Sequence, residues 1–160
     1  MKYRRLDLAD LKSLEKDFVR FLASNHITAA DWVQLKKENT EKVDQLVDMY
    51  SDIVWEKTLP TVRYLEFIGA HDCKVFFCDD TQIHLIGLTI DKSVDIDFQN
   101  INLLTDLPEL LAQHKDQIHL YHSEKDYQKE REAEIFDLLE GGCLISKEGH
   151  LYQLLTALRK

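Results

Sequence analysis

The stretch TVRYLEFIGAHDCKVFFCDDTQIHLIGLTI, Thr61–Ile90, decides the fold. Three runs rich in β-branched and aromatic residues, TVRYLEFI, CKVFFCD and TQIHLIGLTI, suit the half-buried pleated surface of a strand. The joints between them are short. GAHD contains Gly69, free to take positive φ, and Asp79–Asp80 is a turn-prone pair. Joints of this length connect antiparallel neighbours, so the stretch is expected to form a three-stranded meander.

Upstream, the pattern is helical. Asp7 is placed to cap a helix with apolar positions Leu11, Leu14, Phe18, Phe21 and Leu22, and Ser24–Asn25–His26 is its expected exit. Thr28 opens a second helix, TAADWVQLKKE, with Asp31 placed for a capping-box-like arrangement. Asn39 or Thr40 starts a third, in which Val43, Leu46, Val47, Tyr50, Ile53 and Val54 repeat at helical spacing until Pro60 stops it. Asp44, Asp48, Asp52 and Glu56 recur every fourth residue of this helix and share one self-repelling face. Such a row reads as a solvated surface, an acidic docking surface or a cation site.

Downstream, DKSVDIDFQN (Asp91–Asn100) reads as a loop or irregular edge. Asp106 is the expected cap of a helix over LPELLAQHK, with Pro108 in its first turn. QIHLYH reads as a short strand, after which Ser123 caps a long helix ended by Gly141–Gly142. The tail CLISKEGHLYQLLTALRK reads as a strand, a turn at Lys147–Gly149, and a further strand or helix. The fold expected is α+β: N-terminal helices, then an antiparallel or mixed sheet of about four to six strands with helices packed against it. The length of 160 residues suits one domain, helical over about 1–60 and strand-rich or mixed over about 61–160.

Composition narrows the function classes. The net charge of −9 lacks the basic footprint of a nucleic-acid or anionic-membrane binder, and Lys/Arg clustering is limited to Arg4–Arg5 and Arg159–Lys160. No run of about 18 apolar residues occurs, so no membrane-spanning helix is expected. Three cysteines without a CxxC pair fit buried thiols in a reducing cytosol. A soluble, cytoplasmic protein is the expectation.

The candidates for chemistry are few. His119 and His122 lie three apart on a strand and so point to opposite faces, away from a common metal. Cys73 and Cys78, five apart, are likewise divided, and Cys143 follows a helix C-terminus, where the dipole disfavours a thiolate. His84 shares an apolar face with Ile86, Leu88 and Ile90 and reads as a hydrogen-bonded core histidine. Trp32 and Trp55 lie on helices as core residues or interface anchors. A small-ligand pocket lined by Tyr64, Phe76 and Phe77 is a further option. The chain carries no GxGxxG, P-loop, GxSxG or HExxH motif.

Two resemblances add to this reading. The element order over about 40–122, helix, three strands, helix, strand, resembles the core of the restriction-endonuclease-like nucleases. That resemblance implies an acidic residue on the second strand and D/E-x-K on the third. Asp72 or Asp79 answers the first, whereas Gln82-Ile83-His84 supplies neither carboxylate nor lysine. It therefore implies at most a degenerate relative, or a divalent-metal-dependent hydrolase with Glu66, Asp72, Asp79 and His84 as metal-site candidates. Over most of its length the chain also resembles a domain-of-unknown-function family of short acidic bacterial proteins. The segments that carry this likeness are MKYRRLDLADLKSLEKDFVRFLASNHITAADW, SDIVWEKTLPTVRYLEF and REAEIFDLLEGGCLISKEGHLY. It implies a bacterial cytoplasmic protein and carries over no catalytic residue.

The expectation is a non-enzymatic binding or protein-interaction module with no cofactor. Its partner is an unidentified protein or a second copy, as in a homodimer. The metal-dependent hydrolase or nuclease relative is the alternative.

Overall fold

The computed structural model describes residues 2–159. The chain divides into two compact units, Met1–Pro60 and Thr61–Lys160. Among the described residues it holds seven α-helices and a five-stranded, wholly antiparallel sheet, an α+β architecture.

The first unit is helical: α1 Leu8–Ser13, α2 Glu15–Ser24, α3 Ala29–Glu38 and α4 Thr40–Thr58. Asp7 caps α1 by accepting the Asp10 amide at 2.8 Å. The single helix expected from here is broken in two at Leu14, whose φ and ψ are −103° and 18°. The Ser13 hydroxyl donates to the Asp10 carbonyl at 2.8 Å, a local bond that competes with the helical ladder. α2 ends at Ser24 with Asn25 as its C-cap, and His26 beyond it takes a left-handed φ of 62°. The expected Thr28–Asp31 capping box is present in both directions, at 3.1 and 3.0 Å. Asn39 caps α4, and a 3-10 turn at Leu59–Thr61 follows it around Pro60. Phe18 packs on Trp32 and Tyr50 with ring centroids 5.3 and 5.0 Å apart, and the Tyr50 hydroxyl donates to Asp17 at 2.8 Å. Trp55 is buried. Both tryptophans thus belong to packed aromatic groups.

The second unit is built on β1 Tyr64–Ile68, β2 Asp72–Cys78, β3 Gln82–Ile90, β4 Ile118–Asp126 and β5 Leu144–Ser146, in spatial order β4-β3-β2-β1-β5. The meander expected from Thr61–Ile90 forms β1–β3. Three helices accompany the sheet: α5 Leu103–Gln113, α6 Arg131–Glu140 and α7 His150–Leu158. Directly paired residues share a face, so Glu66, Val75, Ile86 and His122 form one row across the sheet. That face carries the main core. Cys73, Val75, Ile86, Leu88, Ile90 and Ile118 meet Leu103 and Leu107 of α5 and Leu151 and Leu155 of α7. The 91–100 segment is irregular, as expected, yet it anchors the core through Val94 and Phe98. On the opposite face, Phe76 and Ile83 share a recess with Glu134 and Leu138 of α6.

Two boundaries differ from the sequence reading. Ser123 does not cap a helix. β4 runs on to Asp126 because β3 pairs with it throughout, ending with Gln82 opposite Asp126 and a 2.8 Å side-chain bond between them. α6 therefore starts only at Arg131. α5 starts at Leu103 rather than after Asp106, because Asn102 accepts the Leu104 amide at 3.1 Å while Asp106 accepts the Asn102 amide at 3.0 Å. Pro108 consequently lies inside the helix.

Two close approaches require glycine. A Cβ on Gly87 would lie 1.9 Å from Tyr121 Cζ, because the Tyr121 ring crosses Gly87 to donate its hydroxyl to Asp72 at 3.1 Å. Gly149, at φ 67°, precedes α7 with the Tyr64 ring 2.5 Å from where a Cβ would stand. No described helix is long and apolar enough to cross a membrane.

Arg131, at the start of α6, ties the second unit together. Its Nε donates to the Asp79 carbonyl at 3.1 Å, and its Nη2 donates to the carbonyls of Cys78, at 3.1 Å, and Val62. Arg131→Met is expected to lower unfolding stability in urea by about 2–4 kcal/mol, since these acceptors lose a charged donor. Arg131→Lys should recover only part, because an ammonium lacks the planar fork. Equal stability of Arg131→Met and the native chain would refute this role.

Candidate functional site

Of the four candidate metal ligands, the fold brings two together. Asp79 opens the turn after β2, and its Oδ1 accepts the amides of Thr81 at 2.7 Å and Gln82 at 2.6 Å. Its Oδ2 lies 2.6 Å from Nε2 of His84. The other ring nitrogen, Nδ1, lies 3.2 Å from Oε2 of Glu124 on β4, the residue paired with His84 across the sheet. A ring with a carboxylate on each nitrogen satisfies both only when both nitrogens carry a proton. The His84 ring also stacks on Phe77, with centroids 5.6 Å apart and planes at 26°. The histidine is thus hydrogen-bonded and packed, as its apolar face suggests. It opens on a recess of about 230 Å³ shared with His122, Tyr152 and Arg159.

The electrostatics follow from this geometry. The bond from His84, aided by the Gln82 and Thr81 amides, holds the Asp79 carboxyl well below the usual carboxylate range. The Asp79 main-chain carbonyl is also taken, by the Tyr127 hydroxyl at 2.7 Å and by Arg131. Asp79 therefore organises a turn, and its carboxylate oxygens are already committed to partners.

The remaining two candidates lie elsewhere. Asp72 is on the opposite face of the sheet from His84, in the row of Thr89 and His119, and accepts the Tyr121 hydroxyl. Glu66 shares the face of His84 but opens on another recess, of about 400 Å³, where the starts of α5 and α7 approach β1 and β5. Burial raises the Glu66 carboxyl above its ordinary value. Among the described residues, no three His, Cys, Asp or Glu side chains are grouped to hold a metal ion. Glu66, Asp72, Asp79 and His84 are therefore not one ligand set. The expected pocket of Tyr64, Phe76 and Phe77 is also not assembled. Tyr64 and Phe77 pack on Tyr152 at 5.7 and 5.8 Å, filling their side, while Phe76 faces the other way.

His119 and His122 point to opposite faces of β4, as their spacing requires, and His119 lies 3.4 Å from Asp91. All three cysteines are buried and free. Burial pushes the Cys73 thiol up to about 12 and the Cys78 thiol up to about 11, and it raises Cys143 as well. None is poised as a thiolate.

Sequence reasoning missed Glu124 as the partner of His84, because reading Ser123 as a helix cap placed Glu124 in a helix. It also missed the contrast between the two sheet edges. β4, at one edge, ends in Glu124, Lys125 and Asp126. β5, at the other, pairs among the described residues only with β1 and leaves Leu144 71% and Ile145 42% exposed. The apolar letters of LIS were visible, but their position at an edge was not.

Two outcomes test this geometry. A carboxyl depressed by folding contributes stability above its unfolded pKa and loses it as pH falls towards its folded value. Asp79→Asn should therefore be less stable than the native chain near neutral pH, with the gap closing as pH drops below the ordinary aspartate range of about 3.9. A gap that stayed constant in acid denaturation curves would count against the Asp79–His84 interaction. The three thiols should react with a thiol reagent far more slowly in the native protein than in urea. Immediate reaction of any one under native conditions would contradict its burial.

No curated protein and no solved structure matches this chain. Its whole length, residues 1–160, matches a family of unknown function, DUF6495. The chain belongs to that family.

Proposed function

We propose that this chain is a bacterial cytoplasmic, non-enzymatic interaction module whose β5 edge takes up an extended segment of a partner protein. The observation that carries the reading is the contrast between the two edges. Natural sheets protect a free edge with charge, since its unpaired amides and carbonyls recruit other strands. β4 follows this rule with Glu124, Lys125 and Asp126, whereas β5 presents Leu144 and Ile145, with Phe67 on adjacent β1 also 36% exposed. An incoming strand would gain main-chain hydrogen bonds from β5 and set alternate side chains on either side of the sheet. The recess beside Glu66, lined by Ile68, Ile101, Leu104 and Leu151, is open to one of them.

A partner segment is favoured over a stable dimer through this edge. Three residues of strand offer little of the roughly 1,200 Å² that specific stable interfaces bury. The state of the polar groups also supports a binding role. Both ring nitrogens of His84 face carboxylates, and the thiols are held protonated by burial.

Selection of random displayed peptides on the full chain tests the reading. Enriched peptides should alternate apolar and polar residues. Their affinity should fall at least roughly tenfold on Leu144→Lys, or when alternate peptide amides are N-methylated. Peptides whose binding ignores both changes would refute the edge. A concentration-dependent dimer abolished by Leu144→Lys would replace the partner with a second copy.

A further inference from the structure

Residues Lys2–Leu6 of the first unit lie along α4, and side chains on one face of that helix take their polar groups. The Asp52 carboxylate accepts the Lys2 amide at 2.8 Å and the Tyr3 amide at 3.0 Å, and Ser51 Oγ accepts the Leu6 amide at 3.0 Å. Trp55 Nε1 donates to the Arg4 carbonyl at 3.1 Å. Arg5 gives its Nε to Asp48 at 2.6 Å and its Nη1 to Asp44 at 3.3 Å. The Arg4 guanidinium lies 5.1 Å from the Trp55 ring centroid. Asp44, Asp48, Ser51, Asp52 and Trp55 are three and four residues apart, so they share a face. Three of the four carboxylates of the acidic row, Asp44, Asp48 and Asp52, are thus taken by a cationic stretch of the same chain.

We propose that this face of α4 is a recognition groove for an extended basic segment of a partner protein, patterned aromatic–Arg–Arg–aliphatic, and that Tyr3-Arg4-Arg5-Leu6 occupies it in cis as a displaceable strap. Charge complementarity names the occupant. Carboxylates at every fourth position repel one another, so the face is stabilised by a cation whichever chain supplies it. The groove reads backbone amides and a carbonyl as well as charge, which selects an extended peptide over a simple ion. Leu6, 6% exposed, is the apolar anchor that sets the register. The polar hold is weak by comparison. The Arg5 and Asp44 side chains are 43% and 60% exposed, and exposed ion pairs contribute little each and are screened by salt. The Arg5 end of the segment is therefore the part that opens most readily, while buried Leu6 and its amide bond to buried Ser51 hold the other end. The strap therefore acts as a built-in competitor that sets how strong a partner peptide must be.

The test titrates the full chain with a labelled peptide Lys-Tyr-Arg-Arg-Leu and with a scrambled peptide of the same composition. The native chain should bind the ordered peptide weakly. Arg5→Ala, which loosens the strap, should bind it roughly tenfold more tightly. Adding Asp48→Asn should remove that gain, and the scrambled peptide should bind less well throughout. Arg5→Ala chains that keep native helical circular dichroism but bind no better, or that bind both peptides equally, would overturn the proposal. If Arg5→Ala does not fold, the native chain decides by nuclear magnetic resonance. Amide shifts confined to residues 44–55 and adjoining strap residues support the groove, and their absence at saturating peptide overturns it.

Discussion

The hold of Arg131 on the carbonyls of Val62, Cys78 and Asp79 joins the start of α6 to the open end of the β1–β2 hairpin. These oxygens lie where the chain enters β1 and leaves β2. A planar guanidinium can bridge them because its donors diverge at fixed angles and its charge persists at any physiological pH. One side chain at the start of α6 thereby fixes a helix against the sheet and holds the Asp79 turn from its main-chain side. Tyr127 adds a second donor to the same carbonyl. With the turn fixed, the Asp79 carboxylate is aimed at His84, and β3 carries His84 to Glu124.

The same economy governs much of the charge in this acidic chain. Asp79 spends its oxygens on a turn and a histidine, and Glu134 accepts from Lys125 at 3.1 Å and from the Gln128 amide at 2.9 Å. Asp48 is held below the usual carboxylate range chiefly by its bond to Arg5. The groups that looked most chemical are thus largely engaged in holding the structure. Within the sheet, the exposed apolar side chains gather at the β5 edge, in Leu144 and Ile145 with Phe67 beside them. That distribution is why recognition of other chains, rather than catalysis, is the function proposed.

Several elements were legible because their causes are local. The meander follows from β-branched and aromatic runs with short joints, and the Thr28–Asp31 box from two side chains three residues apart. The alternation of His119 and His122 follows from strand period alone. Misplaced boundaries shared a different cause. Ser123 is a good cap in isolation, but β3 offered nine residues of partner, and the chain continued as strand to Asp126. Asp106 is a good cap too, yet it serves Asn102 one turn earlier. In both places a distant or reciprocal hydrogen bond outweighed a local preference.

The candidate site was legible only in fragments. That His84 needed a partner could be read from its apolar face; that the partners were Asp79 and Glu124 required the register of β3 against β4. The sequence alone determined the helix-then-sheet order, the strand alternation that separates the histidines and cysteines, and membership of one family across the whole chain. Only the tertiary structure decided which carboxylates meet which cations, that the Asp44–Asp52 row is covered by residues 2–6, and that LIS lies at a free edge. Periodicity is a property of neighbours in the chain, whereas ion pairing and edge position depend on contacts between residues far apart in it.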